Sequence, residues 1–363
     1  MKYLEEFRDP KVAQALAAKI SENALDLPEI KLMEVCGSHT MAIARYGIRN
    51  LLPLNVKLIS GPGCPVCVTA NVYLDKAIAI SRLPDVILTT FGDMMRVPGS
   101  TSSLENERSK GSDIRVVYST MDAISLAANN PKKNIVFLGV GFETTAPTIA
   151  ASVLQAKKLN LENFTVFCAH KTMPKPMEVI ARGSKVDLQG FICPAHVSTI
   201  IGSRPYEFLA ETYGKSCVIA GFEPLDVLEA VNMLIAQIRI GKPSVQIQYS
   251  RVTTVEGNPT ALKIMDSIFE VCDAEWRGLG VIPGSGLKLK NEFKEYDADL
   301  KFDVVVEATQ EEKGCICGDV MQGIASPIDC PLFGTVCTPE DPVGACMVSS
   351  EGSCAASYKY EQS

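Results

Sequence analysis

A series of short apolar runs, each separated from the next by a segment of helical length, constrains this chain more than any other feature. Lys31 to Val35, Val56 to Ile59, Val86 to Thr89 and Ile114 to Tyr118 come first. Between them lie stretches such as Val72 to Arg82, where Leu74, Ala77, Ile78 and Ala79 recur with helical periodicity. Runs without polar alternation are strands covered on both faces, so the pattern predicts β-α units, parallel sheets and helices on either side. It then recurs in Ile135 to Val140, Phe164 to Phe167, Gly190 to Ile192 and Cys217 to Ala220. Two similar α/β halves follow, joined near Asn129 to Lys133, which reads as a turn.

The expected division is an N-terminal helix over 1–30 packing on the body, one α/β domain over 31–130, a second over 131–245, and a smaller C-terminal domain over 246–363. In that last part Gln246 to Thr253 alternates like a strand, and Asn258 to Trp276 reads as a helix with Pro259 at its first position. A Gly- and Pro-rich passage, Gly278 to Gly286, leads into a charged segment around Lys288 to Lys301. After Gly314 the chain turns to cysteine, proline and glycine, and six of the 13 cysteines lie between Cys315 and Cys354.

With 47% hydrophobic and 21% charged residues in 363, the composition is that of an ordinary soluble protein of about two or three domains. A net charge of −7, with no basic stripe, argues against a nucleic-acid grip. The N-terminus lacks the apolar core of a secretory signal, and no apolar run approaches the roughly 20 residues that span a bilayer. The expectation is a cytoplasmic protein without membrane partners. In that reducing setting, cysteines point to metal, cluster or redox chemistry rather than to structural disulfides.

The residues that follow the apolar runs are unusual. Gly61-Pro-Gly-Cys-Pro-Val-Cys67 places two thiols, Cys64 and Cys67, on a turn stiffened by prolines, spaced to meet each other or one metal. Cys36-Gly-Ser-His-Thr40 puts a thiol at a helix N-terminus, where oriented N–H groups favour thiolate. Cys36 is therefore a candidate soft-metal ligand or nucleophile, with His39 as co-ligand, proton relay or orienting group. A buried cysteine capped by a polar turn is the plainer alternative. His170 and His196, the other histidines, also sit in such turns, and structural roles account for them equally well. In Gly141-Phe-Glu-Thr-Thr-Ala-Pro147, Glu143 with Thr144 and Thr145 could orient a ligand, pass a proton or cap the helix. The turn lacks the Lys of a phosphate-binding loop, and Glu143 would repel a phosphate. In open parallel sheets ligands sit beyond the carboxyl ends of the strands, so these turns would line two edges facing one cleft.

The Cys-rich tail carries the strongest chemical signal. Cys315, Cys330, Cys337 and Cys354 would hold an iron–sulfur cluster through thiolates, leaving Cys317 and Cys346 as a disulfide able to exchange electrons with it. A four-thiolate zinc site is the alternative, although the gaps are longer and less regular than in usual zinc sites.

Together these motifs, with Phe91-Gly-Asp-Met-Met-Arg-Val-Pro-Gly99, Cys193-Pro-Ala-His-Val-Ser198 and Gly344-Ala-Cys-Met-Val-Ser-Ser-Glu-Gly-Ser-Cys354, cover almost the whole chain. In them the sequence resembles the [NiFe]-hydrogenase maturation factor HypD family. The resemblance implies two α/β domains and a domain holding a [4Fe-4S] cluster. It implies a scaffold on which Fe(II) acquires two cyanides and one carbon monoxide, bound between Cys36 and the N-terminal cysteine of a small chaperone, HypC. Cyanide would come from HypE, which carries it as a thiocyanate and is served by the carbamoyltransferase HypF. On this reading Cys317 and Cys346 pass electrons from the cluster toward Cys64 and Cys67. The rival readings are an iron–sulfur thiol-disulfide reductase without an iron-carrying role, and a structural zinc protein.

Overall fold

The computed structural model describes residues 5–183, 185–306, 308–310 and 312–361. Its strands are β1 (Ile30–Glu34), β2 (Val56–Ser60), β3 (Val86–Thr90), β4 (Ile114–Val116), β5 (Asn134–Gly139), β6 (Phe164–Cys168), β7 (Gly190–Pro194), β8 (Ser216–Ala220), β9 (Val245–Ile247), β10 (Phe269–Trp276) and β11 (Gly280–Leu289). The first nine are the apolar runs and the start of the Gln246 alternation, found where the pattern put them. They make two parallel sheets, ordered β2-β1-β7-β8-β9 and β4-β3-β5-β6. Strands such as β3 and β8 are buried along their whole length, which is why they show no polar alternation.

The chain distributes its strands differently from two consecutive halves. β1 and β2 open the five-stranded sheet, β3 to β6 then build the whole of the four-stranded one, and β7 returns to pair with β1 at Leu32–Gly190 and Met33–Phe191. A turn at 129–133 is present before β5, but it falls inside the second sheet. The physical reason is that apolar periodicity identifies a covered strand and is silent about its neighbour; β1 keeps an open edge that a later strand can take.

The N-terminal helix, Pro10–Ala24, is capped by the Asp9 carboxylate, which accepts from Lys11 N at 2.8 Å, and Pro10 fits its first turn. It buries Ile20 and Ala24 against the helix Pro224–Ile240. A second departure lies in 258–276. The helix capped by Asn258 stops at Ile268, and Phe269 to Trp276 form β10, antiparallel to β11. Phe269 and Trp276 are buried at the two ends of β10 while exposed and half-buried residues fill its middle. That serves a two-stranded ribbon lying on the body. Gly278 and Gly280, with φ of +77° and +74°, make the turn between the strands, so the Gly-rich passage is a hairpin.

Among the described residues after 312 the chain forms one 3-10 turn, Pro327–Asp329, and short helices, Cys317–Met321, Ala345–Val348 and Ser353–Tyr360. The last packs against the helix Gly37–Arg45, which brings the Cys-rich segment to the end of β1. Cys317, Met321, Cys337, Cys346, Met347 and Cys354 join one core with Cys64, Cys67 and Trp276. Among the described residues no helix is long and apolar enough to cross a membrane.

Candidate functional site

The site begins where β1 ends. Glu34 is a fully buried carboxyl that accepts from Thr40 Oγ1 at 2.6 Å and from the backbone N–H of Cys36 at 3.2 Å. Burial pushes it up to about 7, against the hydrogen bonds from Thr40 and Ser60. Cys36 is the N-cap of the helix Gly37–Arg45, with an extended backbone, and its carbonyl accepts from His39 N and Thr40 N. The helix terminus predicts a lowered thiol; the structure gives the opposite. Burial, then the nearby Glu351 carboxylate, push Cys36 up to about 12, beyond what the Ser38 and His39 N–H groups offset. Without a cation against it, this sulfur stays protonated.

His39 is buried and neutral, its pKa lowered to about 4 by burial. Nε2 lies 3.0 Å from both Ala220 O and Gly221 O at the end of β8, which fixes the proton on that nitrogen. Nδ1 is buried without a partner. The ring leans on Phe222, which also packs on His196 at 4.1 Å between centroids. His170 lies elsewhere, against Phe269 of the hairpin.

The Gly61–Cys67 turn is laid on the end of β1. Gly61 N donates to Glu34 O at 2.8 Å, and Gly37 N to Gly63 O at 3.0 Å. A Cβ on Gly63 would run into the backbone of Val35 and Cys36, so only glycine allows the contact. Cys64 and Cys67 are joined as a buried disulfide with Cα atoms 5.3 Å apart. The spacing thus brought its two sulfurs to each other. Cys67 Sγ in turn lies 3.8 Å from Ala345 O, next to Cys346.

The Cys-rich segment gathers some of its thiols. Cys317 exchanges side-chain hydrogen bonds with Cys315, Cys346 and Cys354, and Cys346 with Cys354. The buried Cys337 accepts from Val343 N at 3.4 Å and lies near enough to Cys354 to act on its thiol. Cys330 is half-buried, its sulfur 3.9 Å from Gly314 O. The contacts therefore run through Cys317 and Cys346 as well as Cys315 and Cys354. Among the described residues no three His, Cys, Asp or Glu side chains converge in metal-binding geometry. Sulfur is nonetheless the donor that iron–sulfur clusters require, and the chemistry of this set fits one.

Phe91 to Gly99 acquires a role that its letters did not announce. Asp93 accepts from Ser349 Oγ at 2.8 Å, and Arg96 Nη1 donates to Pro339 O at 2.7 Å, so this turn ties the Cys-rich segment to β3. Ser38 Oγ donates to Glu351 Oε1 at 2.7 Å on the other flank.

From the second sheet, Glu143 reaches the same interior. Its Oε1 accepts from Met173 N at 3.0 Å, its Oε2 is buried without a partner, and burial raises the carboxyl to about 7. Burial, then Cys193, Glu143 and Cys36, raise the Tyr206 phenol, and Val35, Phe142, Cys193 and Tyr206 belong to one buried core. Thr144 and Thr145 are half-buried; Thr145 Oγ1 donates to Phe142 O at 3.3 Å and does not cap the following helix.

A family model named HypD, described as "Hydrogenase formation hypA family", matches residues 11–361. The chain is 49% identical to hydrogenase maturation factor HypD2 of Bradyrhizobium diazoefficiens, over 99% of this chain and 97% of that one. The chain belongs to the HypD family. Hydrogenase maturation factors HypD of Azotobacter vinelandii and Cupriavidus necator are 48% and 45% identical to it, each over 99% of this chain and 97% of theirs. HypD membership makes this a hydrogenase maturation factor. Several residues that build its HypD-type interior escaped the sequence reading: Glu34, Tyr206, Glu351 and Arg277. Only Glu34 left a signal, an acid closing an otherwise buried run.

Proposed function

We propose that this HypD is the scaffold on which the iron of a hydrogenase receives its diatomic ligands. Fe(II) is cargo here, held by the Cys36 thiolate together with a cysteine of a HypC-type chaperone, and cyanide arrives from a HypE-type donor. The proposed compartment is the cytoplasm. The observation that carries the reading is that backbone hydrogen bonds lay the Gly61–Cys67 turn on the Cys36 cap, while Cys67 Sγ stands 3.8 Å from Ala345 O beside the thiols of the Cys-rich segment. Soft thiolate suits an iron that will take strong-field ligands. An incoming cation would displace the proton that burial holds on Cys36. His39, fixed through Nε2, offers the unpartnered Nδ1 as acceptor for that proton or as a second ligand. Glu143, whose carboxyl burial keeps protonated up to about pH 7, is a further proton store.

Release of cyanide from a thiocyanate needs two electrons: the S–C bond breaks, leaving a thiolate and cyanide. A Cys64–Cys67 dithiol supplies both electrons and two protons and becomes the disulfide. The oxidised pair must then be reduced again, and its neighbours across Ala345 are Cys346 and Cys317. When bound, a [4Fe-4S] cluster supplies one-electron chemistry to this region. Cys315, Cys330, Cys337 and Cys354 are its proposed ligands, Cys317 and Cys346 the pair between it and the turn.

Anaerobic co-purification with the chaperone, read by infrared spectroscopy with iron and sulfide counts, tests the scheme. Cyanide and carbon monoxide stretches on a protein-bound iron are expected. A complex with iron and sulfide but no such bands would leave the thiol-disulfide reductase in its place, and a colourless, zinc-loaded protein would defeat the cluster.

A further inference from the structure

Arg277, only 6% exposed, follows Trp276 at the end of β10 and points back at the chain leaving Cys67. Its backbone N donates to Val68 O at 2.9 Å, its Nε to Thr69 O at 3.0 Å, and its Nη2 to Asn71 Oδ1. Asn71 passes the connection on, donating through Nδ2 to Gln310 O at 3.0 Å, just before the Cys-rich segment. These acceptors are neutral. No carboxylate of the described residues forms an ion pair with Arg277, although the buried Asp226 and Glu107 each have an arginine against them.

A guanidinium taken out of water needs an opposite charge, which carbonyl and amide oxygens do not provide. The cavity it borders, about 200 Å³, is lined by Asn71, Gly344, Cys315 and Cys317, with the exposed, oppositely charged Glu312 and Lys313 at its rim. The charge of Arg277 also reaches Cys346. Among the described residues, the groups of this cavity that can become anionic away from its exposed rim are sulfurs. Gly344 lets them lie close, since a Cβ there would stand 2.6 Å from Cys317 Sγ and 2.9 Å from Cys315 Sγ.

We propose that Arg277 is the fixed counter-cation of the cysteine segment, a positioning residue whose charge, anchored on the turn after Cys67, favours the more negative, reduced state of the group those cysteines hold. The proposal rests on the iron–sulfur reading above. Adding one electron to that group increases its negative charge, and a nearby buried cation stabilises the product more than the reactant. The electron comes from an external low-potential reductant, dithionite in the test. Because the same side chain binds the Cys67 side of the interior, the charge keeps its place whichever way the thiols are oxidised.

The test is a potentiometric titration of the anaerobically purified full chain, followed by visible absorption and electron paramagnetic resonance, with iron and sulfide counts and a melting curve for each variant. Arg277→Gln removes the charge. Asn71→Asp keeps the arginine and sets a carboxylate against its Nη2, so it neutralises the charge with almost no change of shape. Arg277→Lys retains the charge but loses the planar fork. For Arg277→Gln and Asn71→Asp the reduced fraction at a fixed potential is expected to fall about tenfold, equal to about 59 mV for one electron, with iron and sulfide unchanged. Arg277→Lys is expected to stay near wild type. Where Arg277→Gln does not fold, Asn71→Asp decides. Wild-type potentials in Asn71→Asp and in any folded Arg277→Gln overturn the proposal, whereas a wild-type protein without iron and sulfide brings down the reading beneath it.

Discussion

Cys67 sets its sulfur 3.8 Å from the carbonyl oxygen of Ala345, one residue from Cys346. The two positions are far apart in the chain, and the contact makes the oxidised turn a neighbour of the thiols at 317, 346 and 354. In the scheme proposed above, electrons would pass between them by thiol exchange or by a short transfer through packed atoms.

Breaking the pair tests the direction of that traffic. Cys64→Ser and Cys67→Ser are expected to retain iron in the chaperone complex but to lose its cyanide bands, because the two-electron donor is gone. Thiol counting with mass spectrometry should find two more alkylatable sulfurs in reduced wild type than in the oxidised protein. A Cys67→Ser complex with full cyanide bands would remove the pair from the scheme.

The iron position has its own variant. Cys36→Ala is expected to abolish the infrared bands in the complex altogether while leaving the visible absorption of the cluster in place. The thiol sits in a buried cap, so some loss of stability will accompany the change. Retention of cluster absorption separates loss of the iron ligand from loss of the fold.

Gly63→Ala probes the close approach of the turn to β1. The new methyl would meet the backbone of Val35 and Cys36, which a rotamer change cannot relieve. A loss of about 2 kcal/mol or more in urea unfolding is expected, together with loss of iron binding. A fully stable, active Gly63→Ala protein would mean that the turn can be spaced away from Cys36.

Two buried carboxyls give stability a definite pH slope. Glu34 and Glu143 each rise from the ordinary 4.5 to about 7 in the fold because burial penalises their charge. The folded protein therefore holds protons that the unfolded chain releases, and stability should fall as pH climbs from about 4.5 to about 7. Glu143→Gln should flatten its part of that slope, a change on the order of 3 kcal/mol at most, measured by urea midpoints at about pH 5 and about pH 7.5. An unchanged slope would show that Glu143 is ionised in the fold.

The strands were readable because a parallel strand covered on both faces leaves a mostly apolar run: β3, β7 and β8 are buried along their whole length, and the charged interruptions of β1, β2 and β4 are only Lys31, Glu34, Lys57 and Arg115. What periodicity does not encode is partnership, so β7 returning to β1 was invisible. Phe269 to Trp276 looked helical because the preceding helix has a strong apolar face that continues across Ile268, and an isolated hairpin has only eight residues per side or so to announce itself. At the site, thiols and histidines were legible from residue type. The electrostatics of Cys36 were not, since its surroundings depend on Glu351, which arrives from the other end of the chain. Arg277 was unreadable for the same reason: a cation following a tryptophan means nothing until Asn71 and the cysteines surround it.

The return of β7 to β1 also orders the protein in time. As the chain is made, Cys36 and the Gly61–Cys67 turn emerge early, with only the β1–β2 ladder to hold them. The strand that covers β1 on its other side, the carbonyls that fix His39, and Glu351 must all wait for residues beyond 190. The whole four-stranded sheet can form in the interval from contacts within 86–168. The sulfur proposed to carry iron is thus among the first to leave the ribosome and among the last to be enclosed.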